Sequence, residues 1–413
     1  MRLSSFEDNL WIARISELEN PRRMLFGVDS VGRAGVEAKR LGAGRALVVS
    51  DETIERIGLL EKVLAPLGEE GLEFDIHMVP PKEPDMESAR AVSEAARRRK
   101  YDAVVGVGGG SCMDSAKTAA AMATNPGDVG EYCARVEGPI RALAQETLPK
   151  VLIPTTSGTG SEASNTLVII EGEYKTWITD NRLLADVAIV DPALALTMPP
   201  RLTAGTGMDA LSHAMEALLS LKANPISDAL AFEAVRLAFE NLRAAYHHGA
   251  DLEARWNMSM AATLGGWVIG FPWIGGPANL GHCIAEAIGS KYRIPHGVAC
   301  ALALPYTMEF NLPACTERLA EIADVVREDV EMPSAYDAAL GSVEAVLGLM
   351  EDVELPTSLR EVGFPEDDIP DLARYIVEER QRLYDLEHYN PRKLTLENTV
   401  QLLETMWEGA TVG

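Results

Sequence analysis

The stretch Asp102-Ala-Val-Val-Gly-Val-Gly-Gly-Gly-Ser-Cys-Met-Asp-Ser-Ala-Lys117 decides the fold class. Asp102–Val107 reads as a short buried strand with glycines directly after it. From Ser111 onward (SCMDSAKTAAAMA) the pattern is helical, with Ser111 at the cap. Gly108, Gly109 and Gly110 let a ligand approach the backbone closely, and open amides at a helix N-terminus suit a pyrophosphate. The pattern is not G-x-G-x-x-G, because Ser111 stands where the third glycine belongs. Taken alone, it reads as a phosphate cradle or as a plain strand-to-helix turn.

Working outward, Arg45–Ser50 (RALVVS), Val151–Pro154 and Val187–Val190 (VAIV) read as further strands separated by helical patterns. That alternation is the sign of βαβ units around a parallel sheet. Asp51 ends the first of these strands, where an acidic side chain can accept ribose hydroxyls and repel a 2′-phosphate; an ordinary turn aspartate is the other reading. Pro154-Thr-Thr-Ser-Gly-Thr-Gly-Ser-Glu162 follows a strand as a dense hydrogen-bonding loop. Beyond Pro199-Pro200 the character changes to long Ala/Leu/Glu-rich helical segments at Asp209–Leu221, Ser227–Tyr246 and Cys315–Val326. The expected organisation is an α/β domain over 1–198, with residues 1–22 as an extension docked through Leu10, Trp11 and Ile12, and a helical domain over 199–413.

Composition excludes several functions. A net charge of −25, from 62 acidic and 37 basic residues, argues against nucleic acid, whose phosphates need clustered Lys and Arg. Five cysteines form no CxxC pair, so neither a disulfide framework nor a cysteine zinc site is expected. The apolar stretch Val268–Gly281 is broken by Pro272 and Pro277 and is too short to span a bilayer. Acidic residues interrupt the first residues, MRLSSFEDNLWIAR, where a secretory leader would be apolar. A cytoplasmic protein without membrane contact is expected.

Asp209 and His213 lie four apart in GMDALSHAMEALL and project from one helical face, which makes either half a metal site or a bland polar pair. His282 and His296 lie fourteen apart, the second in Pro295-His296-Gly297. Three imidazoles and a carboxylate suit Fe²⁺ or Zn²⁺ and neither Mg²⁺ nor Ca²⁺. The other histidines, His77, His247, His248 and His388, read as structural or solvated.

GGGSCMDSAK, PTTSGTGSE, IVDP followed by MPPRLTAGTGMDALSHAMEALLS, and the His282–His296 segment ending PHG resemble, in order, the iron-containing (group III) alcohol dehydrogenases. The resemblance runs from about Pro21 to the C-terminus. It implies a nicotinamide-dinucleotide domain, a helical metal and substrate domain, and an active site in the cleft between them. Asp209, His213, His282 and His296 would hold one divalent metal, Fe²⁺ or alternatively Zn²⁺. Gly108, Gly109, Gly110 and Ser111 would hold the pyrophosphate, and Asp114 would be a further cofactor-binding residue. Thr155, Thr156 and Thr159 would line it, and Lys175 would contact the nicotinamide ribose. Asp51 matches an aspartate of NAD-preferring members, so NAD(H) is expected over NADP(H). The implied reaction is hydride transfer between the cofactor and a small alcohol, in a chain that forms a homo-oligomer, a dimer by expectation.

Two departures from the family pattern stand out. Glu286 replaces a histidine implicated in proton handling, and it reads as a relay, as a carboxylate orienting a histidine, or as a partner of Lys291 or Arg293. Trp267, Phe271, Pro272 and Trp273 crowd a stretch usually lined by smaller residues, as helix packing or as a pocket shaped by Trp273. A maleylacetate-type reductase, a glycerol-type dehydrogenase and a dehydroquinate-synthase-like lyase are rival enzymes of the same superfamily. A catalytically silent scaffold is the rival from another class, and the intact ligand set argues against it.

Overall fold

The computed structural model describes residues 19–271, 279–326 and 332–409. The expectations for Leu10, Trp11 and Ile12, and for Pro272 and Trp273, lie outside the described residues. Six strands form one parallel sheet: β1 (Met24–Phe26), β2 (Arg45–Asp51), β3 (Glu73–Val79), β4 (Ala103–Gly108), β5 (Lys150–Pro154) and β8 (Val187–Val190). Their order across the sheet is β1-β8-β5-β4-β2-β3. An antiparallel hairpin of β6 (Thr166–Glu171) and β7 (Tyr174–Thr179) stands apart from it.

The central strands β2 and β4 are buried on both faces, as parallel strands covered by helices must be. Side chains alternate along them. Ala46, Val48, Val105 and Val107 pack against α1 (Ala34–Arg40) and α2 (Glu61–Glu69). Leu47, Val49 and Val104 meet α3 (Met86–Arg98) and α4 (Gly110–Thr124) on the other face. Chain order reverses at β2, since β3 lies on one side of it and β4 on the other. Ligands of open parallel sheets bind at the carboxyl ends of strands flanking such a switch point. Here those ends are Asp51 and Gly108.

All described strands precede residue 191, and helices carry the remainder: α5 (Pro200–Leu219), α6 (Pro225–His247), α7 (Leu252–Ile269), α8 (Leu280–Tyr292), α9 (His296–Val326) and α10 (Ala335–Asp352), with shorter helices after them. Pro200 opens α5 at the position where a missing N–H costs nothing. The segment expected as a separate helix from Cys315 is the second half of α9, which breaks at Cys315 just after Pro313. His247, read from the sequence as structural or solvated, is the last residue of α6, and its Nε2 lies 3.0 Å from the Asp352 carbonyl oxygen.

The polar loop 154–162 joins the two halves. The Ser157 hydroxyl lies 2.9 Å from that of Ser259, and Thr263 donates to the Glu162 carboxylate at 2.7 Å, both partners being on α7. Between these contacts Gly160 (φ +56°) meets Gly266 backbone to backbone, so closely that a Cβ on Gly266 would sit 2.3 Å from the Gly160 carbonyl oxygen. Gly205 of α5 and Gly297 of α9 make a similar approach. Backbones at van der Waals distance leave little freedom for sliding, so the cleft between sheet and helices has fixed walls.

Candidate active site

One cleft of about 570 Å³ runs from the carboxyl end of β4 to the helical half. Of the expected cofactor residues, Gly109, Gly110, Ser111, Asp114, Thr156, Thr159 and Lys175 line it, as do Asp209, His213, His282, Glu286 and His296. Asp51, Gly108 and Thr155 lie outside its lining, at strand ends.

At the turn after β4, Gly108 adopts φ +143°, and a Cβ there would meet Cys112 Sγ at 2.5 Å. The expected cap moves: Gly109, not Ser111, is the N-cap of α4, and no side chain covers that end. The Cys112 and Met113 amides donate to the Gly109 carbonyl, so those of Gly110 and Ser111 have no acceptor within the helix. A Cβ on Gly110 would meet Thr159 at 2.7 Å, so the helix start is pressed against the polar loop. These open amides at the positive end of α4 form an anion cradle. Asp114 is engaged with the protein: Ser161 donates to its Oδ1 at 2.7 Å and the Val168 amide to its Oδ2 at 3.1 Å. Asp51 caps the turn Glu52–Arg56 through the Thr53 and Ile54 amides, and its second oxygen accepts from Cys112 Sγ at 3.3 Å.

The metal candidates converge from three helices. Asp209 and His213 lie on α5, His282 opens α8 and His296 opens α9. Asp209 Oδ1 lies 3.5 Å from His282 Nε2, 3.6 Å from His296 Nε2 and 3.7 Å from His213 Nε2. Among the described residues that oxygen is buried without a hydrogen-bond partner, as is His213 Nδ1. The His213 and His282 rings stack with centroids 4.6 Å apart. Burial, reinforced by Lys175 and only partly offset by Asp209, pushes His296 down to about 3; burial likewise takes His213 to about 4, so both rings are neutral donors at pH 7. Burial alone would raise Asp209, but the three imidazoles hold it well below the usual carboxylate range. Against burial, Cys300, Glu216 and Asp209 raise His282 well above the usual imidazole value, so a cation entering the site displaces a proton from it.

Glu216, one turn beyond His213, was not expected. Its Oε1 lies 2.6 Å from His282 Nδ1, while Oε2 accepts from the Asn279 amide at 2.7 Å and the His282 amide at 3.2 Å. A carboxylate only accepts, so His282 Nδ1 keeps its proton and Nε2 is the nitrogen left to face a metal beside Asp209. Gly281 makes room for this, since a Cβ there would sit 2.6 Å from Glu216 Oε1. Glu216 thus satisfies the open end of α8 and sets the tautomer of a ligand with one side chain. The polar stripe Asp209, His213, Glu216 on an otherwise apolar helix was the available signal.

Cys300 was also missed. It lies four residues after His296 on α9, and it forms a compact group with Asp209, His282 and His296 whose ligand atoms all fall within 4.8 Å of one another. Glu286 shares a face of α8 with His282, as its spacing predicts, but its partner is neither Lys291 nor Arg293. It forms a buried ion pair with Arg380, whose other nitrogen donates to the Lys175 carbonyl at 2.9 Å. Lys175 Nζ in turn donates to Glu83 at 2.8 Å. Trp267 donates to the Glu19 carbonyl at 3.1 Å and packs edge-on against Phe271, which accounts for two of the four bulky residues by packing.

The residues present fit a divalent metal of the Fe²⁺ or Zn²⁺ type: an unpartnered buried carboxylate oxygen, neutral imidazoles and a fixed tautomer. Two family models match, described as "Iron-containing alcohol dehydrogenase" over residues 21–192 and "Fe-containing alcohol dehydrogenase family, C-terminal" over residues 203–407. Long-chain-alcohol dehydrogenase 1 of Geobacillus thermodenitrificans is 40% identical over 84% of this chain and 86% of its own. NAD-dependent methanol dehydrogenase of Bacillus methanolicus is 33% identical over 93% and 98%. A crystal structure of 1,3-propanediol oxidoreductase superposes with a TM-score of 0.87 at 34% identity, covering 95% of this chain and 100% of that one. With this agreement in sequence and fold, the chain belongs to the iron-containing alcohol dehydrogenase family.

Proposed function

We propose that this chain is a metal-dependent alcohol dehydrogenase, working in reverse as an aldehyde or ketone reductase, that uses NAD(H) in preference to NADP(H). The observation that carries the reading is one cleft holding both an anion cradle at a helix start and an unpartnered carboxylate among three imidazoles. Asp209, His213, His282 and His296 would hold the metal. When bound, it supplies a Lewis acid that polarises the alcohol or carbonyl oxygen. The nicotinamide supplies the hydride acceptor or donor.

The protein's own residues do the rest. The Gly110 and Ser111 amides hold the pyrophosphate, Thr156 and Thr159 fix the dinucleotide, and Lys175, itself anchored by Glu83, contacts the nicotinamide ribose. The Gly160–Gly266 contact keeps the two binding surfaces in register, which is the orientation a hydride transfer needs. Asp51 supports the choice of NAD(H): at the end of β2 its charge opposes a 2′-phosphate. Five free thiols accord with a reducing cytoplasm, and no helix among the described residues is long and apolar enough to cross a membrane.

Glu286 is better supported as an anchored carboxylate than as a proton relay, because its side chain is held in a buried pair with Arg380. Glu286→Gln strands the Arg380 charge and is expected to cost about 3–5 kcal/mol of stability. Thermal unfolding checks this; a variant as stable as wild type with an altered kcat–pH profile would restore the relay.

Glu216→Gln keeps the shape but removes the acceptor that fixes His282, and metal affinity should fall about 10–100-fold. His282→Ala should lose bound metal altogether while remaining folded. Metal titration with elemental analysis reads both, and full occupancy in His282→Ala removes that residue from the ligand set.

The function itself is tested with a panel of alcohols and aldehydes on metal-loaded protein, using NAD(H) and NADP(H) in parallel. Wild type should turn over simple alcohols with release of NADH, and Asp51→Gly should shift kcat/KM toward NADP(H). Glycine costs the N-cap only a few tenths of a kcal/mol, so folding survives the change. No dinucleotide reduction with any alcohol sinks the reading, and an unchanged cofactor ratio in Asp51→Gly removes Asp51 from the ribose site.

A further inference from the structure

We infer that Cys300 is a thiolate ligand of the metal, approaching it from the protein side and leaving the cleft side for substrate. The inference rests on the metal reading above and adds a donor of different chemistry to it. Cys300 Sγ lies 3.6 Å from His282 Nε2 and 3.7 Å from each ring nitrogen of His296. Sulfur at ~2.3 Å and imidazole nitrogen at ~2.0–2.1 Å from one metal stand roughly 3.1–3.8 Å apart for ligand angles of about 90–120°. The separations present are those of neighbouring ligands.

A lone thiol would not make this case. Asp209 Oδ1 does, because it is buried and unpartnered and belongs to the same compact group of ligand atoms as Cys300, His282 and His296. An oxygen in that state needs a cation, and Cys300 borders the point where the cation must sit. Position on the chain explains how it gets there. His296 and Cys300 are one helical turn apart near the start of α9, so both project to the same side.

The side of approach follows from burial. Asp209, His213, His282 and His296 line the cleft, whereas Cys300 is fully buried and outside its lining. Sulfur therefore occupies the face of the metal away from solvent, and a catalytic metal keeps its open position on the cleft side. On coordination the S–H bond breaks heterolytically. The electron pair remains on sulfur and forms the metal–sulfur bond, the proton leaves to solvent, and no oxidation state changes. One thiolate softens an otherwise nitrogen and oxygen donor set, which moves the site's preference from Fe²⁺ toward Zn²⁺.

X-ray absorption on full-length protein reconstituted with Zn²⁺ tests this without any activity measurement. Wild type should show one sulfur scatterer at about 2.3 Å beside the nitrogen and oxygen shell. Cys300→Ala should keep one zinc per chain and lose that scatterer, while Cys283→Ala, beside His282, should keep it. The Co²⁺ form should show a thiolate-to-cobalt charge-transfer band in the near ultraviolet that is lost in Cys300→Ala. Zinc held by nitrogen and oxygen alone in wild type overturns the thiolate and leaves the metal reading standing. Loss of the sulfur in Cys283→Ala instead of Cys300→Ala overturns the assignment. Failure of wild type to bind Zn²⁺ or Co²⁺ removes the metal reading and this inference together. Should Cys300→Ala not fold, the wild-type spectrum still decides whether sulfur is present.

Discussion

A carboxylate oxygen buried without a hydrogen bond is the constraint around which the rest of this molecule is arranged. Among the described residues Asp209 Oδ1 finds no hydrogen-bond donor, and three imidazole nitrogens stand 3.5–3.7 Å away from it. Removing such an oxygen from water costs several kcal/mol, and His213 and His296, neutral at pH 7, offset little of it. A cation offsets it. This requirement explains why three helices start or cross at one point, and why Glu216 spends both oxygens holding one of them there. It also explains two glycines nearby: a Cβ on Gly281 would collide with the Glu216 carboxylate, and one on Gly297 with the backbone of Gly205.

The second demand is distance between two sites. An anion cradle at the start of α4 and a cation site among α5, α8 and α9 are useful to a hydride transfer only at fixed separation. The loop 154–162 meets this demand by serving both. Thr156 and Thr159 face the cleft, while Ser157, Gly160 and Glu162 grip α7. A sequence rich in serine, threonine and glycine therefore reflects two duties, hydrogen bonding on one side and close backbone approach on the other. The buried ion pair of Glu286 with Arg380 extends the same logic, tying α8 to the backbone of Lys175 on β7.

How far this was legible in the sequence depended on the range of the interactions. Strands β2, β4, β5 and β8 were plain because central parallel strands are continuous apolar runs. β3, Glu73-Phe-Asp-Ile-His-Met-Val79, was not, because an edge strand alternates polar residues that resemble a loop. The β6–β7 hairpin hid behind a two-residue connection, Gly172-Glu173, and the three-residue β1 gives too short a period to detect. At the site, spacing within one helix singled out Asp209 with His213, and family likeness put the four residues forward as one candidate ligand set. Glu216 and Cys300 obeyed the same helical spacing but were passed over, the first because a glutamate on a helix is usually solvated. The partner of Glu286 could not be read at all. Arg380 lies 94 residues away, and only the packing of the C-terminal segment brings it under α8.

The most direct test of this account is anomalous diffraction at the metal edge from crystals of metal-loaded protein soaked with NAD. The account predicts one peak per chain, within bonding distance of Asp209 and the three imidazoles, with the pyrophosphate on the Gly110 and Ser111 amides and the nicotinamide facing the metal. A peak elsewhere, or a dinucleotide seated away from the start of α4, would contradict it.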